Sequence, residues 1–253
     1  MESSGRERVV AITGASSGIG AALAELLASQ GHSVALLARR REVLDEIAAR
    51  CGQRAHVVAT DMTRREDVTR AVAAIVERFG RIDVWVNNAG VGITRMPSQL
   101  ADEDVDAMMR SNVLSALYGM QEVLPHFRSR GAGHIINISS MLGRIPFATF
   151  RSAYCGAKHF LNALTATFRA ELAETDPGIH VSLVSPGVVR TEFGVNAVHG
   201  GPDSRALPAS QSAEEVAAVI AQVIESPRPD VYTRADGRER VLDYFASLGS
   251  NPD

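Results

Sequence analysis

Val9-Val10-Ala11-Ile12-Thr13-Gly14-Ala15-Ser16-Ser17-Gly18-Ile19-Gly20 lies near the start of this 253-residue chain, and its reading decides the architecture. An apolar β-branched run breaks into three glycines, and an Ala/Leu stretch follows at once. A buried strand that turns through glycine into a helix is the setting in which free backbone N–H groups at the helix N-terminus receive phosphate. Gly14 permits the tight turn, Gly18 lets the main chain approach a pyrophosphate, and Gly20 allows close helix packing, with Ser16, Ser17 and Ile19 completing the cradle. The spacing is G-x-x-x-G-x-G, which differs from G-x-G-x-x-G in lineage but not in phosphate-binding physics.

Outward from this unit the same alternation continues. Short apolar runs at 9–12, 34–38, 56–59, 84–87, 134–138, 181–184 and near Val231 alternate with helical patterns at 19–29, 42–50, 65–79, 102–128, 152–174 and 213–225. The strand runs are continuously apolar, as in parallel strands covered on both faces. The expected fold is therefore α/β: a doubly wound, Rossmann-like parallel sheet of about seven strands, in one domain over 1–253. The segment 190–212 is the exception. Gly194, Gly200, Gly201, Pro202 and Pro208 break any period there, and a long loop beyond a strand's carboxyl end is placed to act as a lid.

Bulk properties remove several function classes. A net charge of -3 leaves no basic footprint for nucleic acid, and Arg39-Arg40-Arg41 is the only run of three basic residues. No apolar stretch reaches about 18 residues and the polar start shows no signal-peptide pattern, so a cytoplasmic location away from membranes is expected. Cys51 and Cys155 cannot build a disulfide framework, and no histidine spacing suggests a metal. The sequon at Asn137-Ile138-Ser139 falls inside a strand pattern and is discarded.

The second strand ends Leu36-Leu37-Ala38-Arg39-Arg40-Arg41. A carboxylate at this place would bond a ribose 2′-hydroxyl and repel a 2′-phosphate; here the acid is absent and arginine follows. A charged hydrogen bond contributes about 1.5–3 kcal/mol, about one to two powers of ten in preference for NADP(H) over NAD(H). Arg39 is the first candidate and Arg40 the second.

Of 26 basic residues only Lys158 is lysine; the other 25 are arginine. It stands four residues after Tyr154 in Tyr154-Cys155-Gly156-Ala157-Lys158. At i, i+4 on a helix the two side chains share a face, at about 5–6 Å between Cβ atoms. A phenol titrates near about 10, and a close ammonium favours its phenolate. The pair reads as proton-transfer chemistry.

Taken in order, these motifs resemble the short-chain dehydrogenase/reductase family in its soluble branch of about 250 residues. They are the glycine turn, Asp61 after the third strand, Asn87-Asn88-Ala89-Gly90 after the fourth and Asn112 on the next helix. Ser139-Ser140, Tyr154-x-x-x-Lys158 and Ser185-Pro186-Gly187-Val188-Val189-Arg190-Thr191 complete the series. The resemblance implies a catalytic tetrad of Asn112, Ser140, Tyr154 and Lys158. Tyr154 exchanges a proton with the substrate oxygen, Lys158 supplies charge and holds the nicotinamide ribose, and Ser140 donates to the substrate oxygen. Asn112 holds a water linking Lys158 to solvent, unless it is a helix residue bonded to backbone. Also implied are Asp61 and Met62 at the adenine, Asn88, Ala89 and Gly90 along the nucleotide, and Pro186, Gly187, Val189 and Thr191 near the nicotinamide. Asp61 has a second reading as a helix cap. Ser140 stands 14 positions before Tyr154, one more than the family's commonest spacing, which would fall on Met141. Ser140-Met141-Leu142-Gly143 fits the family's S-x-x-G pattern, and Ser139 is the substitute.

The expected substrate wall is Ile93, Met141, Leu142, Ile145, Phe147, Val188, Phe193 and Val195, suited to an apolar carbonyl or alcohol. Arg144 and Arg151 stand where an acidic substrate would meet them, although arginine in a polar loop is usually solvated. In this family the helices matching 102–128 and 152–174 pair across subunits, which implies a homodimer or homotetramer. The expected activity is NADP-dependent carbonyl reduction. An NAD-dependent alcohol dehydrogenase and a non-catalytic NADP-binding redox sensor are the alternatives.

Overall fold

Apolar runs too continuous for a half-wet sheet form strands here because helices cover both faces. The computed structural model describes residues 7–208 and 210–248. Seven runs pair in parallel: β1 (Val9–Thr13), β2 (Ser33–Ala38), β3 (Ala55–Ala59), β4 (Val84–Asn87), β5 (Gly133–Ile138), β6 (Ile179–Ser185) and β7 (Asp230–Tyr232). Their order is β3-β2-β1-β4-β5-β6-β7, with Ile12 in register with Leu36 on one side and Val86 on the other. The helices are α1 (Gly18–Ser29), α2 (Arg41–Cys51), α3 (Arg65–Phe79), α4 (Asp102–Met109), α5 (Ser115–Arg130), α6 (Ser152–Thr175), α7 (Ala213–Glu225) and α8 (Gly237–Ser247). The polar start at 1–6 and Ala209, within 190–212, lie outside the described residues.

The period of two in each strand divides the core. Val10, Ile12, Val34, Leu36 and Val86 pack under α1, α2 and α7 with Leu23, Leu27, Leu44 and Ile220. Val9, Ala11, Leu37, Trp85 and Ile135 face the other way, against α3, α5 and α6 through Val68, Ile75, Met120, Phe127 and Phe168. Each fully buried Leu, Ile or Phe contributes about 1.5–3 kcal/mol through the water it leaves. Asn137 is fully buried in β5, where it bonds Asn87 and Thr165, so the sequon is inaccessible.

Two elements differ from expectation. The single helix over 102–128 is interrupted by a widened π-type turn at Arg110–Leu114. Inside it, Asn112 Nδ2 donates to the carbonyl of Met108 at 3.1 Å, competing with the regular i to i−4 bond of the helix. After Val231 the chain forms α8, which the apolar pattern does not announce, since Leu242 and Phe245 are each 57% exposed and only Gly237 is buried in that helix.

From β3 at one flank the chain crosses to β4 on the far side of β1. The carboxyl ends of β1 and β4 thus diverge at a topological switch point, and a crevice opens there.

Candidate active site

The crevice is built first from backbone. Gly14 and Gly18 take left-handed φ values of +66° and +54°. A Cβ on Gly20 would collide with the Gly14 carbonyl and stand 2.7 Å from Asn88 Nδ2. Asn88 ties the two strand ends together: its N–H donates to Thr13 Oγ1 at 2.9 Å and its Nδ2 to the Thr13 carbonyl at 2.9 Å, while Ala89 N–H also reaches Thr13 Oγ1 at 3.0 Å. No side chain caps the N-terminus of α1 and no acid occupies its first turn, so its free N–H groups face the crevice. This glycine cradle fits the pyrophosphate of a dinucleotide.

A cavity of about 840 Å³ continues from the cradle and is lined by Gly14, Ser16, Ser17, Gly18 and Ile19 at one end. Arg39, Arg40, Asp61 and Met62 stand beside it, and Asn88, Ala89 and Gly90 run along it to Ser140, Tyr154 and Lys158. Pro186, Gly187, Val189 and Thr191 form the opposite side. Thr191 closes on the cradle, its Cγ2 lying 3.0 Å from where a Cβ on Gly18 would be. Gly20 and Asn112 sit behind this surface rather than on it.

Arg40 Nη2 donates to Ser16 Oγ at 3.3 Å, which brings a guanidinium to the cradle itself. Asp61 accepts from Thr63 N–H at 2.9 Å and Thr63 Oγ1 at 2.7 Å, so it closes its own turn while lining the cavity. Burial works to raise the Asp61 carboxyl, but the Thr63 bonds and the Arg39 and Arg64 charges outweigh it and hold it below the usual carboxylate range.

The first two turns of α6 carry Tyr154 and Lys158 inward, and both are buried. Lys158 Nζ donates to the Ile138 carbonyl at 2.9 Å and stands 5.7 Å from the Tyr154 ring centre. Burial pulls the Lys158 ammonium down to about 8. Tyr154 moves opposite to the expectation that lysine lowers it: burial pushes the phenol up to about 12, against smaller downward pulls from a hydrogen bond with Ser140 and from the Arg151 charge. Desolvation therefore outweighs the ammonium, whose hydrogens are turned to Ile138.

Ser140 is the serine that faces Tyr154; Ser139 bonds Asn162 instead. Between the turn Met141–Gly143 and the start of α6 at Ser152 the chain runs through an irregular stretch, 144–151. The Asn112 amide is engaged by main chain, donating to Val91 O at 2.9 Å and Met108 O at 3.1 Å and accepting from Val91 N–H at 3.3 Å. It braces the loop after β4.

The substrate wall needs correction. Met141, Leu142, Phe147, Val188 and Phe193 line the cavity, but Ile93 and Ile145 are buried behind it and Val195 points to solvent at 38% exposure. Ile93 is held in a parallel bridge to Val198, which removes it from the surface. Arg144 turns away to pair with Asp230 and to stack at 5.4 Å over Tyr232, whereas Arg151 lines the cavity. The sequence reading missed Phe150, Asn196, Pro202, Ser204 and Leu207. Their signal was positional: they lie in segments that follow the carboxyl ends of β5 and β6. The 190–212 segment is pinned beside the cavity by Val198 N–H to Gly92 O at 2.9 Å and by His199 Nε2 to Asp104 at 2.7 Å.

A family model described as short chain dehydrogenase matches residues 8–200. An uncharacterised oxidoreductase of Staphylococcus epidermidis is 34% identical over 217 residues, covering 86% of this chain and 92% of that one. A short-chain dehydrogenase from Sphingobium yanoikuyae, solved in complex with NADPH, superposes with a TM-score of 0.81 at 29% identity, over 97% of this chain and 98% of that one. A short chain dehydrogenase/reductase from Burkholderia phymatum, solved in complex with NAD, shares the fold with a TM-score of 0.85 at 24% identity, over 97% of each chain.

Proposed function

This chain belongs to the short-chain dehydrogenase/reductase family and is an NAD(P)-dependent oxidoreductase, and on that premise we propose that it uses NADP(H) to reduce a ketone or aldehyde to an alcohol. The observation that carries the cofactor preference is the pair Arg39 and Arg40 on the cavity wall after β2, with Arg40 on Ser16 and no carboxylate in the place that would select a 2′-hydroxyl. Relatives solved with NADPH and with NAD share the nucleotide class, and the arginines tip the choice.

The bound nicotinamide supplies the hydride. In this reading Tyr154 holds the proton that the substrate oxygen receives, and a phenol raised to about 12 keeps it throughout the neutral range. Ser140 donates to the same oxygen as charge develops there. Lys158 serves the ribose and the phenol, Asn112 braces the site from behind, and 190–212 acts as the lid of a single domain. Apolar Met141, Leu142, Phe147 and Phe193 favour an apolar substrate body. A cytoplasmic location and self-association into dimers or tetramers complete the proposal.

Parallel calorimetric titrations with NADPH and NADH test it without a known substrate. NADPH binds about ten- to a hundredfold more tightly than NADH, and Arg39→Ala or Arg40→Ala removes most of that difference while leaving NADH unchanged. Equal losses for both nucleotides in the variants refute the 2′-phosphate role. Tight nucleotide binding with no turnover over a broad carbonyl panel favours a sensor instead.

The pH profile has a defined sign. Tyr154 remains protonated as pH rises through neutrality, so kcat/KM for reduction stays level until Lys158 loses its charge above about 8, then falls. Oxidation of the product alcohol needs the phenolate and climbs over the same range. A reductive rate that rises from pH 7 to 9 contradicts the assignment of Tyr154 as proton donor.

A further inference from the structure

Two buried cations line the site without a counter-charge among the described residues: Lys158, which the ribose and phenol reading already uses, and Arg151, which the mechanism leaves unused. Arg151, on the turn that enters α6, is 7% exposed and lines the cavity, and among the described residues no Asp or Glu pairs with it. Its guanidinium makes one hydrogen bond to protein, from Nη1 to the Ile93 carbonyl at 3.0 Å, and lies 5.4 Å from the centre of the Phe150 ring. Nε and Nη2 have no partner among the described residues.

Glycines keep room for this group. A Cβ on Gly92 would stand 2.9 Å from Nη1, and one on Gly201 would stand 3.1 Å from Nη2. The same Gly92 position is 2.9 Å from Phe193 Cε1, and the Phe193 ring is 5.4 Å from the Tyr154 ring. Arg151, the N-cap residue of α6, also precedes Tyr154 by three residues, and both line the cavity. Guanidinium and phenol therefore bound one small region of the cavity.

A buried cation costs several kcal/mol unless an anion meets it. The neighbours whose ionisation would provide one are Tyr154 and Cys155, and burial keeps both protonated at neutral pH. Of the two acids on the cavity wall, Asp61 stands at the cradle end on Thr63 and Glu192 reaches toward Arg205 at 3.5 Å. The chain supplies no anion here, and the open direction is the cavity.

We propose that Arg151 anchors an anionic group of the substrate, so that this enzyme acts on oxo acids whose carboxylate lies a few atoms from the reacting carbonyl and whose apolar remainder meets Phe147 and Phe150. The inference rests on the oxidoreductase reading with Tyr154 as proton donor. In the reduction the carbonyl carbon gains a hydride from NADPH and the oxygen gains the Tyr154 proton, which solvent replaces. The products are the hydroxy acid and NADP+, and the carboxylate stays on Arg151 unchanged.

The test is calorimetry on NADP+-saturated protein with 3-benzoylpropionate, whose carboxylate stands two methylenes from its ketone, and with its uncharged methyl ester. The wild type binds the acid at least about tenfold more tightly than the ester, and Arg151→Gln loses about ten- to a hundredfold for the acid with the ester unmoved. Arg151→Lys, which keeps the charge, recovers part of the loss. Acid and ester binding alike in the wild type, an acid that does not bind, or an Arg151→Gln that weakens both equally overturns the proposal; the first two need no variant to fold. Because binding is read without turnover, such a failure leaves NADPH binding and reduction of neutral ketones standing. Conversely, absence of NADPH binding would refute the cofactor reading on its own.

Discussion

Tyr154→Phe lowers turnover by about 10²–10⁴-fold while NADPH affinity stays nearly unchanged. The ring is buried and packs 5.4 Å from Phe193, and phenylalanine keeps that packing while removing one oxygen. The lost oxygen is on the Ser140 side of the site, and no hydrogen bond joins it to the cradle among the described residues. The nucleotide cradle is built from β1, α1 and β4, on which Tyr154 has no hold. Single-turnover kinetics and calorimetry on the same preparation separate the two quantities. Lost nucleotide binding in a variant with a native circular dichroism spectrum would contradict this division of labour, and retained turnover would remove Tyr154 from the chemistry.

Gly20→Ala abolishes tight nucleotide binding and lowers stability by about 1–3 kcal/mol. The added methyl meets the Gly14 carbonyl and, at 2.7 Å, the Asn88 amide, both fixed by main-chain bonds to the strand ends. Neither is the loose end of a flexible side chain, so the cradle must shift as a unit and its N–H groups lose their common aim. Gly156→Ala is the control: nothing lies within 4 Å of its Cβ position, it is in α6 beside Tyr154, and alanine there gains up to about 1 kcal/mol of helix propensity. Thermal melts with and without NADPH read both effects. An unshifted melt and full NADPH affinity in Gly20→Ala would show that the turn tolerates the methyl.

Much of this was legible beforehand, for physical reasons that differ by element. Parallel strands buried on both faces write themselves as apolar runs, so the inner strands stood out, while the half-exposed edge strands β3 and β7 were marked by short valine-bearing stretches at 56–59 and near Val231. The glycine turn was readable because positive φ and close approach leave no other residue. Tyr154 and Lys158 were readable because a fixed helical spacing sets them on one face. Contacts made across the fold were not readable. The π-type turn after Met109 goes with an Asn112 side chain reaching Val91, 21 residues away in sequence. α8 buries almost nothing, so its sequence has little apolar period to show. The fate of Lys158 turned on the Ile138 carbonyl, a backbone group that leaves no trace in residue type. Ile93 and Ile145 have the composition of a pocket wall, but Ile93 was drawn behind the wall by its bridge to Val198.

The solitary lysine also shapes how the protein will behave at the bench. Lys158 is 4% exposed as a residue, so the described surface offers almost no side-chain amine to an acylating label or an amine-directed cross-linker. Coupling through surface lysine side chains finds none among the described residues, and attachment through carboxylates is the alternative. A reagent that does acylate Lys158 has entered the cavity, which makes mass-spectrometric tagging at that single position a direct gauge of how often the site opens.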